Sequence, residues 1–134
     1  MNKRFLISVV VVFVMLMAIG FVVHGLLLAP DYAQLTSIYR SPDDQMKYFP
    51  FMLPAHLFMA VAFVWIYRSR IKEDKPPTVQ GIRYGLAIAS MTIIPKFLIY
   101  YSIQPIPGAL VCKQISFDTL GVVLMGIVVA RLNK

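Results

Sequence analysis

The sequence holds a single cysteine, Cys112, one tryptophan and only two histidines in 134 residues. One thiol excludes an intrachain disulfide, and with two histidines beside it no cysteine-rich zinc site can be assembled. Charge is scarce too, at 14% of residues against 59% hydrophobic ones, and a mean hydropathy of +0.73 lies outside the range of an ordinary soluble domain. Acidic residues are the rarest charged class: six Asp and Glu face thirteen Lys and Arg, a formal net charge of +7. In a soluble domain that excess points to nucleic acid. In so apolar a chain it is expected to follow membrane topology, and no nucleic-acid partner is expected. Catalytic signatures are missing as well. Ser90, Ser102 and Ser116 have no G-x-S-x-G context and phosphate-binding glycine loops are absent, so neither enzyme activity nor a cofactor is expected.

What the chain does have is four long apolar runs. Phe5 to Ala29 contains no Asp, Glu, Lys or Arg, and at about 1.5 Å per residue it more than crosses the roughly 30 Å hydrocarbon core of a bilayer. The basic start Asn2-Lys3-Arg4 resembles that of a signal peptide, but the run far exceeds the roughly 7 to 15 residues of a signal-peptide core. Further runs cover about 49–67, 84–101 and 108–130. The expected fold is all-α: a four-helix transmembrane bundle forming one domain over residues 1–134.

Between the first two runs, Pro30 to Tyr48, which contains Asp31, Ser41-Pro42-Asp43-Asp44, Arg40 and Lys47, reads as an extramembrane loop with a turn or short helix. The charged stretch from Arg68 to Lys75 ends in Pro76-Pro77, which cannot continue a helix. Pro105, Pro107 and Gly108 mark a tight uncharged turn between runs three and four. Lys3, Arg4, Arg68, Arg70, Lys72, Lys75, Arg83, Arg131 and Lys134 then fall on one side, and only Arg40, Lys47 and Lys113 on the other. The positive-inside rule predicts both termini and the loop from Arg68 to Arg83 in the cytoplasm. Tyr48, Phe49, Phe51, Tyr100 and Tyr101 are placed at the outer interface and Trp65, Tyr67 and Tyr84 at the inner one. The Arg68 to Lys75 run reads as a topology determinant in preference to a site for anionic headgroups.

Each run carries one ionisable side chain that hydrocarbon disfavours: His24, His56, Lys96 and Asp118. They lie about 5 to 9 residues inside the outer ends, roughly 8 to 13 Å, and so form one polar layer. Lys113 is shallower and is expected to snorkel to the headgroups. Lys96 and Asp118 are related symmetrically about Pro107, which predicts an ion pair across the hairpin of runs three and four. Insertion scales charge about 2.5 to 3.5 kcal/mol for each such residue at a helix centre, so pairing or a wet cavity must offset most of that. Gly81, Gly85, Ala89 and Lys96 fall near one stripe of run three, and Gln114, Asp118, Gly121 and Met125 near one stripe of run four. Gly81, Gly85, Ala89 and Gly121 are the expected helix-packing positions. Pro95 removes a backbone hydrogen bond and frees the carbonyl of Met91 for a water or the Thr92 hydroxyl, so the layer can line a small cavity open to the outside. Pro54 is expected in the first turns of its helix, where proline is tolerated.

Two imidazoles and a carboxylate at one depth form a known metal-site type, but Lys96 competes and no His-x-x-x-His spacing supports it. Axial haem ligation by His24 and His56 has no further support. A proton relay is better motivated, yet the cytoplasmic half of every run lacks ionisable groups until Arg83 and Arg131. A structural polar network that holds four helices in register is the plainer reading.

His24-Gly25, the segment Gln80-Gly81-Ile82-Arg83-Tyr84-Gly85, Pro95-Lys96 and the Pro105-Ile106-Pro107 turn are the features that carry a likeness. Through them, and over most of its length, the chain resembles the uncharacterised small four-span integral membrane proteins of bacteria in size, span order and loop charge. The resemblance implies a multi-pass inner-membrane protein and assigns no residue a role. The function expected from short loops and missing catalytic motifs is a non-catalytic accessory or scaffold subunit of a larger membrane complex, in contact with lipid and with other membrane subunits or itself. The alternative is a small transporter or ligand-binding membrane protein that uses His24, His56, Lys96 and Asp118.

Overall fold

The computed structural model describes residues 2–69 and 75–134, and among these every regular element is helical. Arg70 and Lys72, used above to orient the chain, lie outside the described residues, as do 71, 73 and 74. Helix α1 spans Lys3–Gly20 and opens on Asn2, whose side-chain Oδ1 accepts the Arg4 N–H at 3.1 Å. It continues as a π-helical segment, Phe21–Leu27, in which each turn holds one extra residue; the Leu28 N–H accordingly reaches the Val23 carbonyl at 2.9 Å. A short helix α2, Ala29–Ala33, follows. Helices α3, Pro42–Arg68, α4, Pro77–Ile103, and α5, Gly108–Leu132, complete the chain.

Four helical stretches, Lys3–Leu27, Pro42–Arg68, Pro77–Ile103 and Gly108–Leu132, are long and apolar enough to cross a membrane. Two of them start earlier than hydropathy alone indicates, α3 at Pro42 and α4 at Pro77. The Ser41 hydroxyl caps α3 by accepting the Asp44 N–H at 3.3 Å, Pro42 occupies the first turn, and Asp43 and Asp44 there face the positive end of the helix dipole. Much of the expected loop is thereby helix. Pro54 in consequence lies in the helix interior, as does Pro50. Neither proline has an N–H, so the carbonyls of Met46 and Pro50 lose their helical donors.

The elements alternate in direction. One end of the bundle carries both chain termini, where the Arg4 guanidinium donates to the Lys134 carbonyl at 2.9 Å and the Asn133 amide to Ser8 Oγ at 2.9 Å. The other, here called the cap end, carries α2 and the α4–α5 turn, closed by Ile106 N–H to the Gln104 carbonyl at 2.7 Å.

Helices α4 and α5 form the tightest pair. A Cβ added to Gly81 would lie 2.5 Å from the Ile127 Cα, and one added to Gly85 would lie 2.5 Å from the Val123 Cα, so the two backbones touch where side chains are absent. Gly126 answers from α5, its α-carbon against the Gly81 carbonyl. The buried positions of α4, Gly81, Gly85, Ala89, Ile93 and Phe97, recur every fourth residue. A strict four-residue repeat rotates the contact line by about 40° per step, because 3.6 residues make a turn. By the depth of Lys96 the contact has moved to Ile93 and Phe97, and Lys96 is left on the exposed side.

Helix α1 packs on α3, and the contact is confined to the end with the termini. There Ala60, Phe63, Val64 and Tyr67 are buried, and Tyr84 of α4 inserts between the Phe63 and Tyr67 rings, its hydroxyl donating to the Phe63 carbonyl at 2.5 Å. Towards the cap end α3 runs free: from 45 to 59 every side chain is exposed except that of His56, which is half-buried.

Candidate functional site

The two polar-layer residues that the structure brings together are His24 and Asp118. His24 Nε2 lies 3.0 Å from Asp118 Oδ1, and their side chains are 36% and 13% exposed. The π-helical segment positions the imidazole over α5, and α5 presents Asp118 one turn after Gln114. On the other ring edge, His24 Nδ1 lies 2.6 Å from the Tyr32 hydroxyl, and the Gln114 amide Nε2 donates to the same hydroxyl at 3.1 Å. Four side chains from three elements thus form one linear chain: Gln114, Tyr32, His24, Asp118.

Tyr32 reaches the chain because α2 folds back across the cap end. Its ring stacks near that of His24, with centroids 6.0 Å apart, and against Tyr39, with centroids 4.6 Å apart. One residue earlier, Asp31 takes the Lys113 ammonium on both carboxylate oxygens, at 3.0 and 3.1 Å. Lys113 therefore anchors α2 to α5 rather than reaching away from the bundle. Burial pushes the Tyr32 phenol up to about 12, so it stays a neutral hydroxyl at ordinary pH and both donates and accepts.

The expected pair of Lys96 and Asp118 is not made. Asp118 is within coulombic reach of Lys96 but turns to His24, and the Lys96 ammonium rests over the Phe97 ring, 4.1 Å from its centroid. The rotating α4 contact line accounts for this, since it directs Phe97 and not Lys96 at α5. His56 does not join the site either: its Nδ1 bonds the Met52 carbonyl of its own helix at 2.7 Å. Nor does Thr92 serve the carbonyl freed by Pro95, because its hydroxyl donates to Ile88 at 2.8 Å.

The spacing of Gln114 and Asp118 puts both on one face of α5, whereas hydropathy gives Asp31, Tyr32 and Tyr39 no place but a loop. The signal available for Tyr32 was its aromatic hydroxyl eight positions after His24, with Pro30 starting a helical turn between them. Gln114 is 2% exposed and its Oε1 has no partner, so the buried end of the chain holds one unused acceptor.

An imidazole between a carboxylate and a hydroxyl can hold or pass a proton. Among the described residues no three His, Cys, Asp or Glu side chains gather closely enough to hold a metal ion. Cys112 is free and exposed. Comparison with protein-family models, with curated proteins and with solved structures finds no match.

Proposed function

We propose that the chain is a non-catalytic accessory or scaffold subunit of a larger membrane complex, set in a bacterial inner membrane with all four long helices across the bilayer and both termini cytoplasmic. The observation that carries this reading is the cap half of α3. Phe51 and Phe58 are 73% and 77% exposed there, Pro50 and Pro54 interrupt the backbone ladder, and His56 sits among them. Lipid covers phenylalanine at no cost, but it supplies no donor to a freed carbonyl and none to an imidazole. A helix of another membrane subunit laid along this half can supply both. Membrane insertion itself is supported by the large apolar side chains exposed around the whole girdle, an arrangement a water-soluble monomer rarely tolerates.

Photocrosslinkers at Phe51 and Phe58 in the native membrane test the subunit reading. A protein adduct is expected, whereas lipid adducts alone, together with a stable monomer in native mass spectrometry after gentle extraction, would overturn it. The orientation is tested in a Cys112→Ser background with single cysteines at Ser41 and Lys75. Labelling from the periplasm is expected only at Ser41.

A second reading, a small transporter or ligand-binding membrane protein, is favoured by the Gln114–Tyr32–His24–Asp118 chain, because hydrogen-bonded ionisable groups at membrane depth mark ion and proton paths. Proteoliposomes that dissipate an imposed pH gradient, and cease to do so in Asp118→Asn, would support it. Dissipation unchanged in that variant removes Asp118 from the path.

A further inference from the structure

We propose that His24 is a proton-accepting site at the cap end, in which the buried Gln114 amide turns over so that the Tyr32 hydroxyl can serve both protonation states of the imidazole. The inference stands whether the protein works as a subunit or as a carrier, because it concerns what the site binds, namely a proton, and not what crosses the membrane.

The donor inventory of the chain leads to it. With neutral His24, the bonds run in one direction: Gln114 Nε2–H to the Tyr32 oxygen, Tyr32 O–H to His24 Nδ1, and His24 Nε2–H to Asp118. Each link of this path uses one donor; the second Gln114 amide hydrogen lies off it, and the Gln114 Oε1 acceptor is without a partner, sealed at 2% exposure. When His24 takes a second proton, both ring nitrogens become donors. Nδ1–H must then donate to the Tyr32 oxygen, and the Tyr32 hydrogen needs a new acceptor. Half a turn of the Gln114 amide brings Oε1 to the place of Nε2, about 3 Å from that hydroxyl, and supplies it. Three bonds exist before and three after. Amide oxygen and nitrogen are nearly equal in size, so the exchange needs no repacking of the surroundings.

The site gains one proton from water, delivered at the partly exposed imidazole, and no bond between heavy atoms forms or breaks. Asp118, largely buried, exchanges a neutral partner for an imidazolium, and the pair becomes neutral as a whole. The other groups around it are accounted for. From α2 and the following loop come Asp31, already held by Lys113 of α5, and the hydroxyls of Tyr32 and Tyr39. Lys96 of α4 feels the Asp118 charge but rests over the Phe97 ring and makes no ion pair, and His56 of α3 is bonded within its own helix. The ionisable residues of α1, Lys3 and Arg4, lie at the opposite end.

Solid-state NMR of the full-length protein in lipid bilayers, uniformly labelled with carbon-13 and nitrogen-15, tests the proposal across about pH 4 to 8. On acidification His24 Nδ1 is expected to gain a proton, and with the same midpoint the Gln114 amide hydrogens are expected to lose their contact with the Tyr32 hydroxyl. In Tyr32→Phe the Gln114 response should vanish while His24 still takes its proton; if that variant does not fold, the wild-type spectra alone decide. Either of two results overturns the proposal: His24 remaining singly protonated throughout, or its protonation with the Gln114 amide still donating to Tyr32.

Discussion

Replacing Gly81 by alanine probes the α4–α5 clasp that holds the rest of the molecule. The new Cβ would stand 2.5 Å from the Ile127 Cα and 2.6 Å from the Gly126 carbonyl oxygen. Both are backbone atoms, so no side chain can swing away. Ordinary carbon contacts lie near 3.5 to 4 Å, and the two helices must part locally by roughly 1 Å or more. A gap of that size forfeits a quarter to a half of each contact's dispersion energy, and the neighbours Ala89, Val122 and Met125 sit on the same seam. Overpacking of this kind costs about 1 to 3 kcal/mol, against which alanine's better helix propensity returns about 1 kcal/mol. The net expectation is a loss of up to about 2 kcal/mol, up to roughly thirtyfold in the unfolding equilibrium, and a deficit of about 1 to 3 kcal/mol against an alanine that meets no neighbour. Gly20→Ala is the matched control, because nothing lies within 4 Å of its added Cβ; it should be neutral or slightly stabilising. Reversible unfolding of both variants in bicelles by added sodium dodecyl sulfate measures the difference. Equal stabilities for the two would refute the claim that α4 and α5 meet backbone to backbone.

Two further expectations follow from the cap end. Lys96→Met should leave stability unchanged or raise it, since Lys96 makes no ion pair and a cation within a span costs about 2.5 to 3.5 kcal/mol to insert; a loss of about 3 to 5 kcal/mol in the same bicelle assay would mean that it neutralises Asp118 after all. Tyr32 should make the cap alkali-sensitive. Its phenol is raised in the fold from 10.0 to about 12, so the stability it contributes is complete below pH 10 and is lost as the pH climbs towards 12, a component that Tyr32→Phe should lack in an alkaline unfolding titration.

The four long helices could be read from the sequence because hydrocarbon imposes a length and a composition that the runs meet without ambiguity. The small-residue spacing of Gly81, Gly85 and Ala89 was equally visible, and these residues are buried against α5. What escaped was where a stripe points after several turns. Averaged at 3.6 residues per turn, Lys96 falls beside Gly81 and Gly85; on a helix whose contact line follows every fourth residue, it does not. That Asp118 pairs with His24, and His24 in turn with Tyr32, escaped for a different reason. Tyr32 becomes a neighbour only after Phe21–Leu27 widens and α2 folds back, two events that leave no mark in hydropathy.

Tightness and polarity are distributed in a way that bears on function. The α4–α5 seam is closed by backbone contact and has no room to move, whereas α3 is held only near the termini and stands free for more than half its length. The Gln114–Tyr32–His24–Asp118 chain connects the rigid member, α5, to the π-helical segment and α2, and none of its bonds reaches α3. A proton taken at His24 therefore changes the charge at the cap end, where the space along α3 is open, without disturbing the clasp. If a partner helix occupies that space, its affinity and the proton occupancy of His24 are thermodynamically linked, and each must shift the other by the same factor. Mutating Asp118 should then alter partner retention as well as proton uptake, while Gly81→Ala should weaken the fold without separating the two.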